Sequence, residues 1–172
     1  MMKKLLLLSL IAALQMTGAM ALTSGHFPSV SGKDLNNTSW TAPAGFPGER
    51  TLVVVGFEEE QQVGIDSWFE GMKVRKPSSG ISWIEMPLIN NPGMVMRWII
   101  NTGMRGGIPS KEVRAHVWTA YTNKKAFMEA CGMAVPKNVY ALVVDRSGKI
   151  LAMESGNYSK KGAEVLLKAL QR

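Results

Sequence analysis

The sequence holds a single thiol, that of Cys131. Thiol–disulfide exchange within one chain needs a second sulfur, and no second cysteine is present. Cys131 follows Phe127 and Met128 on a predicted amphipathic helix, where a cysteine acts as a small apolar residue. Such burial disfavours the thiolate, which is the reactive form. We therefore interpret Cys131 as a core residue, with a reactive thiol as the alternative.

The other residues that could do chemistry do not form a recognisable site. His26 and His116 are the only histidines, and neither has cysteines or paired carboxylates at metal-ligand spacing. The glutamates at 58–60 lack the alternating ligand positions of a calcium loop. His116, Asp145 and a serine form a triad only on paper, because no nucleophile-elbow motif accompanies them. The sequence thus predicts no catalytic residue, no metal site and no cofactor.

The N-terminal half predicts one βαβ unit behind a loop-rich lead-in. Residues 22–50 are dense in Gly, Pro, Ser and Asn, which suggests loops with a short hairpin around Gly32-Lys33-Asp34. The β-branched run 51–57 is typical of a strand buried on both faces, and 81–88 predicts a second strand. Between them, one apolar helix face is formed by Ile65, Trp68, Phe69 and Met72. A strand, helix and strand of these lengths predict a parallel pair.

The C-terminal half predicts further helices, a strand and a hairpin. Asn91 and Pro92 fit the N-cap and first residue of an apolar helix over 94–104, which the glycines of 106–109 end. The remaining predicted elements are a strand over 115–121, a helix capped by Thr122 or Asn123 that stops at Gly132, a hairpin of 139–145 with 149–154, and a closing helix capped by Ser159.

This order of elements predicts an α/β fold with a central mixed sheet and helices on both faces. A parallel half joined to an antiparallel half resembles the thioredoxin fold, and the insertion after the second strand resembles the peroxiredoxin branch of that fold. We divide the chain into a signal peptide at 1–21, the lead-in at 22–50 and a thioredoxin-like domain at 51–172.

The resemblance implies a position for a redox cysteine, directly after the first central strand and at a helix N-terminus. Backbone N–H groups there lower a thiol pKa and stabilise the thiolate. Here the stretch reads Gly56-Phe57-Glu58-Glu59-Glu60-Gln61-Gln62, without sulfur and with carboxylates that would raise a thiol pKa. We therefore expect no enzyme. A peroxiredoxin-like or thiol-dependent oxidoreductase that uses Cys131 is the alternative.

A second resemblance covers most of the chain after the predicted signal. The segment Met-Arg-Trp-Ile-Ile-Asn-Thr-Gly-Met-Arg-Gly-Gly-Ile-Pro at 96–109, with Thr-Ala-Tyr at 119–121, 127–133, the hairpin at 139–150 and Glu-Ser-Gly at 154–156, resembles the Atp10 family of ATP synthase assembly factors. The resemblance implies a thioredoxin-like domain without redox cysteines, which acts as a chaperone for a membrane-embedded client in mitochondria.

The helix predicted over 94–104 is apolar nearly all round. Core packing is the simpler interpretation of such a stripe. The alternative is an adaptable Met and Trp surface for an apolar protein client or the membrane surface, with Arg97 and Arg105 meeting headgroups or carboxylates. The candidate client-binding or membrane-binding residues are Arg97, Trp98, Met104, Arg105 and Arg114.

The first residues have the pattern of a secretory signal. Lys3 and Lys4 precede the apolar run 5–14 and the small-residue site Ala19-Met20-Ala21. The run is short of the roughly 20 residues of a membrane span, so we expect cleavage after Ala21 rather than a retained anchor. The pattern predicts a periplasmic protein. The signal accounts for two of the seven net positive charges, and the other five are spread over basic residues from Lys33 to Arg172, so nucleic acid is not expected as a partner.

Overall fold

The computed structural model describes residues 25–171. The predicted signal peptide and its cleavage site lie outside these residues. The described strands are β1 Val30–Lys33, β2 Ser39–Ala42, β3 Arg50–Gly56, β4 Trp83–Ile89, β5 Ala120–Tyr121, β6 Tyr140–Asp145 and β7 Ile150–Ser155. The described α-helices are α1 Gln62–Gly71, α2 Met94–Gly107, α3 Lys111–Ala115, α4 Lys124–Cys131 and α5 Lys160–Gln171.

The central sheet is mixed, with the strand order β5-β4-β3-β6-β7. Strand β3 lies parallel to β4 and antiparallel to β6, so the predicted βαβ unit is confirmed. Strands β6 and β7 form the predicted antiparallel hairpin. The valines of β3 are buried on both faces because helices and the lead-in cover both sides of the sheet, as the β-branched run predicts.

The sheet separates two apolar cores, to which alternate residues of β3 contribute. Leu52 and Val54 pack with α1 and α5 on one face. Val53 and Val55 pack with α4 and with side chains from the lead-in on the other. This two-sided burial has the three-layer arrangement of an α/β fold.

The lead-in contributes large side chains to the domain core. Its large buried apolar side chains are those of Phe27, Leu35, Trp40 and Phe46. Strands β1 and β2 form a hairpin in the register Val30↔Ala42 to Lys33↔Ser39, so the predicted hairpin is present but Gly32 and Lys33 lie in its first strand and not in its turn. Its turn lies at 34–38, where the Asp34 carboxylate accepts the N–H groups of Asn36 and Thr38, both at 2.8 Å. Residues 25–49 are therefore packed as part of the domain.

The insertion between β4 and β5 differs from its predicted outline. Helix α2 begins at Met94 because Gly93 has a left-handed φ of 85°, which ends the extended segment before it. The prediction of Asn91 as N-cap with Pro92 as the first helical residue is therefore wrong. The predicted strand over 115–121 is also wrong in its first part, because the Ser110 hydroxyl accepts the Val113 N–H and caps the short helix α3. Regular pairing starts only at β5.

The predicted caps of the last two helices are confirmed. The Asn123 side chain accepts the Ala126 N–H at 3.0 Å, and Gly132 ends α4 with a φ of 74°. The Ser159 hydroxyl accepts the Gly162 N–H at 3.0 Å before α5.

Candidate functional site

The corner after β3 is closed by an amide and an amine. The Gln61 Oε1 accepts the N–H of Phe57 at 2.6 Å and that of Glu58 at 3.3 Å. The Gln61 Nε2 donates to the carbonyl of Pro136 at 3.0 Å, and the Lys124 Nζ donates to the carbonyl of Phe57 at 3.0 Å. The backbone groups that would stabilise a thiolate in a redox enzyme are thus partly taken by Gln61.

Phe57 itself is buried, and its ring meets the edge of Tyr140 with centroids 6.1 Å apart. The side chains of Glu58, Glu59 and Glu60 are exposed in the 3-10 turn that leads into α1. Carboxylates at the positive end of a helix are favourable there and need no ligand to explain them.

An open groove of about 920 Å³ lies beside this corner. It lies at the ends of β4 and β5 and is bounded by the start of α4 and by the segment before β6. Its lining includes Asn91, Tyr121, Lys124, Lys125, Met128 and Pro136. The groove shares Lys124 and Pro136 with the corner, so a bound segment could reach both.

Cys131 lies away from the groove surface, in the core. It is fully buried on α4, among the apolar residues that cover one face of the sheet. Burial raises the pKa of its thiol from 9.0 to about 12, so the thiol is protonated at neutral pH. The segment before β1 seals it further, because the His26 N–H donates to the carbonyl of Ala130 at 2.9 Å. The geometry of Cys131 is that of a core residue.

Helix α2 turns its polar residues toward the protein. The Arg97 Nε donates to Asn91 Oδ1 at 2.9 Å, and its guanidinium lies 4.8 Å from the centroid of the Tyr121 ring. The Tyr121 hydroxyl donates to Asn101 Oδ1 at 2.8 Å, one turn further along. At the other end, the Arg105 Nε donates to the carbonyl of Leu35 at 2.8 Å. These contacts hold both ends of α2 against the rest of the domain.

The apolar residues of α2 face solvent. None of its residues is buried, and Val95 and Trp98 are 74% and 69% exposed. Met94, Met96 and Ile99 are also exposed. Core packing, the simpler interpretation of this stripe, is therefore wrong. No helix within residues 25–171 combines the length and apolar character that a membrane span requires.

The five candidate binding residues do not share one surface. Trp98 is exposed on the solvent side of α2. The guanidinium groups of Arg97 and Arg105 instead donate hydrogen bonds to other residues of the chain. The Met104 sulfur accepts the Thr119 hydroxyl at 3.7 Å, under the helix. Arg114 is half-buried on α3, and its Nε has no hydrogen-bond partner among the described residues. The outer face of α2 consists of Met94, Val95, Met96, Trp98, Ile99 and Thr102.

The two histidine rings pack against backbone carbonyls and, for His116, an aromatic ring. The His116 ring stacks on Trp83 with centroids 4.4 Å apart, and its Nδ1 lies 2.9 Å from the Trp83 carbonyl. The His26 Nδ1 lies 3.1 Å from the carbonyl of Phe27. Among residues 25–171 there is no group of three or more His, Cys, Asp or Glu side chains that could hold a metal ion.

A buried carboxylate lies in β4, on the α1 face of the sheet. Glu85 is 2% exposed, and its carboxylate meets the Arg75 guanidinium at 3.5 Å and the Gln62 amide at 3.4 Å. Arg75 also pairs with Asp66 on α1 at 2.8 Å. Burial raises the pKa of Glu85, although the positive charge of Arg75 opposes the shift.

This shift predicts a specific pH dependence of stability. With the pKa of Glu85 at 4.5 when unfolded and higher when folded, the native state binds more protons between those two values. The contribution of Glu85 is complete below pH 4.5 and is lost as the pH rises through the folded pKa. The Gln side chain in Glu85→Gln cannot titrate. As the pH rises from 4.5 through the folded pKa of Glu85, the free energy of unfolding of Glu85→Gln should therefore increase relative to that of the wild type. Urea titrations at several pH values measure the difference; parallel curves would contradict it.

The fold matches solved thioredoxin-like proteins. No protein-family model and no curated protein matches the sequence. The structure is similar to BsSco, a member of the Sco family of cytochrome c oxidase assembly proteins, with a TM-score of 0.56, 10% identity and coverage of 86% of this chain and 92% of that one. The exposed lipoprotein thioredoxin Etrx1 of Streptococcus pneumoniae strain TIGR4 gives 0.52 and 10%, covering 84% and 98%.

A thiol:disulfide interchange protein from Bacteroides sp. gives a TM-score of 0.50 at 16% identity, covering 89% of this chain and 93% of that one. The chain therefore has a thioredoxin-like fold, as its order of elements predicts. At these identities the similarity shows the fold alone.

Proposed function

We propose that this chain is an exported, non-catalytic thioredoxin-like protein that holds a protein client at or near a membrane, as an assembly factor does. The observation that carries the proposal is the orientation of α2, whose apolar side faces solvent while its polar side is bonded to the domain. Exposing Trp98 and Ile99 to water costs free energy that a contact at or near a membrane would recover, and the open groove at Lys125 leaves room for the client.

The state of the sulfur supports the non-catalytic part of the proposal. Some proteins of this fold are named for thiol chemistry, so the fold alone does not decide whether this chain is an enzyme. In this chain the corner after β3 holds Phe57 and Gln61, and the single thiol is buried and protonated. The resemblance to the Atp10 family supports the assembly role, and the lysines and apolar run before Ala21 support export to the periplasm.

Site-specific crosslinking in intact cells tests the proposal. A photoreactive residue replaces exposed Lys125, on the groove, and in a separate strain it replaces exposed Glu164, on α5. Because α5 packs on the opposite face of the sheet, it serves as the matched control. We expect a discrete protein adduct in the membrane fraction from Lys125 and none from Glu164. No adduct, or equal adducts from both positions, would contradict a client-binding role.

A further inference from the structure

Basic residues are spread along the chain, but acidic residues are scarce around α2, which leaves the net positive charge there. Residues 86–128 contain six Lys or Arg residues and one acid, Glu112, a net charge of +5. Outside the predicted signal, which carries Lys3 and Lys4, the whole chain has eighteen basic and thirteen acidic residues, also a net charge of +5. All other residues after the signal therefore sum to zero. The excess charge belongs to the segment that exposes the apolar helix.

Within this segment, lysines lie near both ends of α2. Lys111 begins α3 just after the helix and is exposed. Lys125 is exposed at the start of α4 and pairs with exposed Glu129 one turn later at 3.9 Å, and the backbone N–H of its neighbour Lys124 bonds the side chain of Asn90 at 3.0 Å. Asn90 precedes α2 by a few residues. An apolar helix face bordered by lysines, with a tryptophan among its apolar residues, is typical of helices that lie in a membrane interface.

Contacts near both ends of α2 hold the helix against the domain and leave its whole outer face open to solvent. Tyr121 of β5 contacts the first half of the helix through its ring at Arg97 and its hydroxyl at Asn101, and Arg105 bonds Leu35 and Asn37 near the other end, at 2.8 Å and 3.1 Å. The helix thus lies along the domain surface, so all its outward side chains can enter one plane. No acidic residue occurs between Met86 and Lys111 to oppose an anionic surface.

We propose that the outer face of α2 inserts, parallel to the membrane plane, into the interface of a bilayer that contains anionic phospholipids. The inference rests on the proposed function, in that both place the protein beside a membrane. The α2 face then contacts lipid and the client occupies the groove, with exposed Lys125 shared between the two. A second copy of the chain fits this face less well. Two segments of net charge +5 would face each other across a two-fold axis, whereas anionic headgroups complement that charge.

Trp98 provides a direct probe of insertion. All five tryptophans lie within the described residues, and Trp98 alone among them is exposed. The four buried ones are Trp40, Trp68, Trp83 and Trp118. With purified protein lacking residues 1–21 and vesicles of phosphatidylcholine and phosphatidylglycerol, we expect a blue shift of tryptophan emission and quenching by lipids with brominated acyl chains. Trp98→Phe should keep vesicle binding and lose the blue shift.

Two pairs of variants separate the apolar and charged contributions, measured by vesicle co-sedimentation. Ile99→Ser should weaken binding at least tenfold, since a buried aliphatic side chain is lost from the interface. Val63→Ser, at a position on α1 that is 78% exposed, is its control and should bind as the wild type. Lys111→Glu with Lys125→Glu should weaken binding at least tenfold. Lys160→Glu with Lys161→Glu, the same charge change on α5, should weaken it much less.

Added salt should weaken the binding, because the screening length shortens. Equal affinity for pure phosphatidylcholine vesicles, or an effect of Val63→Ser equal to that of Ile99→Ser, would overturn the inference. So would a lipid-free dimer that Ile99→Ser dissociates, since the face would then pair with a second copy. If vesicles do not bind but Lys125 still crosslinks a client in cells, the lipid inference fails and the proposed function stands. If the protein binds vesicles but no client adduct forms, the lipid inference stands and the proposed client-binding function fails.

Discussion

Trp68→Ala is expected to lower the free energy of unfolding by about 3–5 kcal/mol, the usual cost of removing a large buried aromatic side chain. Trp68 is 1% exposed and lies between α1 and the central sheet. Its Nε1 donates to the carbonyl of Gly156 at 2.9 Å, and its ring meets that of Tyr158 edge-on, with centroids 5.6 Å apart. The substitution would leave a cavity and an unpaired carbonyl.

The same substitution at Trp98 is the matched control. Trp98 is exposed on α2 and contributes little to packing, so Trp98→Ala should change the free energy of unfolding by about 0.5 kcal/mol or less. Urea unfolding followed by circular dichroism measures both variants. Equal losses in the two would contradict the outward orientation of α2, because Trp98 would then stabilise the folded chain by itself.

The second large effect is the protection of Cys131. Raising the thiol pKa from 9.0 to about 12 lowers the thiolate fraction near neutral pH about a thousandfold, and complete burial also blocks approach of a reagent. Alkylation by iodoacetamide should therefore be at least about a thousandfold slower in the native protein than in urea.

The control for labelling is an exposed cysteine in the same protein. Thr102→Cys in a Cys131→Ala background places a thiol on the outer face of α2, where the native protein should react nearly as fast as the unfolded one. If native Cys131 reacted at a rate close to that of the Thr102→Cys thiol, the thiol would be accessible and the core interpretation of Cys131 would be wrong.

The parts of the fold that were predictable from the sequence depend on local signals. The caps Asn123, Gly132 and Ser159 act within one turn of their helices. The valines of β3 form a run that fits a strand buried on both faces, and the hairpin β6–β7 closes over a short turn. Each of these features needs information from a few neighbouring residues only.

The orientation of α2 was not predictable in this way, because its partners are distant in sequence. An apolar majority around the helix favours burial, and only Arg97, Asn101 and Arg105, at i, i+4 and i+8, indicate a polar stripe. That stripe faces inward because Tyr121 and the turn at Leu35 supply its hydrogen-bond partners. The spacing of the three polar residues was the available signal for the inner face.

The lead-in and the corner after β3 show the same limit. Phe27 is completely buried because its ring contacts Phe46 and Phe127, at centroid distances of 5.4 Å and 5.1 Å. Phe127 is far from Phe27 along the sequence, so local patterns do not indicate this contact. Gln61 is polar and near a helix start, which suggests solvent exposure. Its amide instead joins Phe57 to Pro136, and nothing in the local sequence indicates that long-range contact.

The most direct test of the account is turnover by the purified protein. Consumption of hydrogen peroxide and of a disulfide substrate, each with an excess of dithiol reductant, is compared between the wild type and Cys131→Ser, with folding of both checked by circular dichroism. We expect the two proteins to be indistinguishable from each other and from buffer. Saturable turnover by the wild type that is lost in Cys131→Ser would contradict a protein that works by binding.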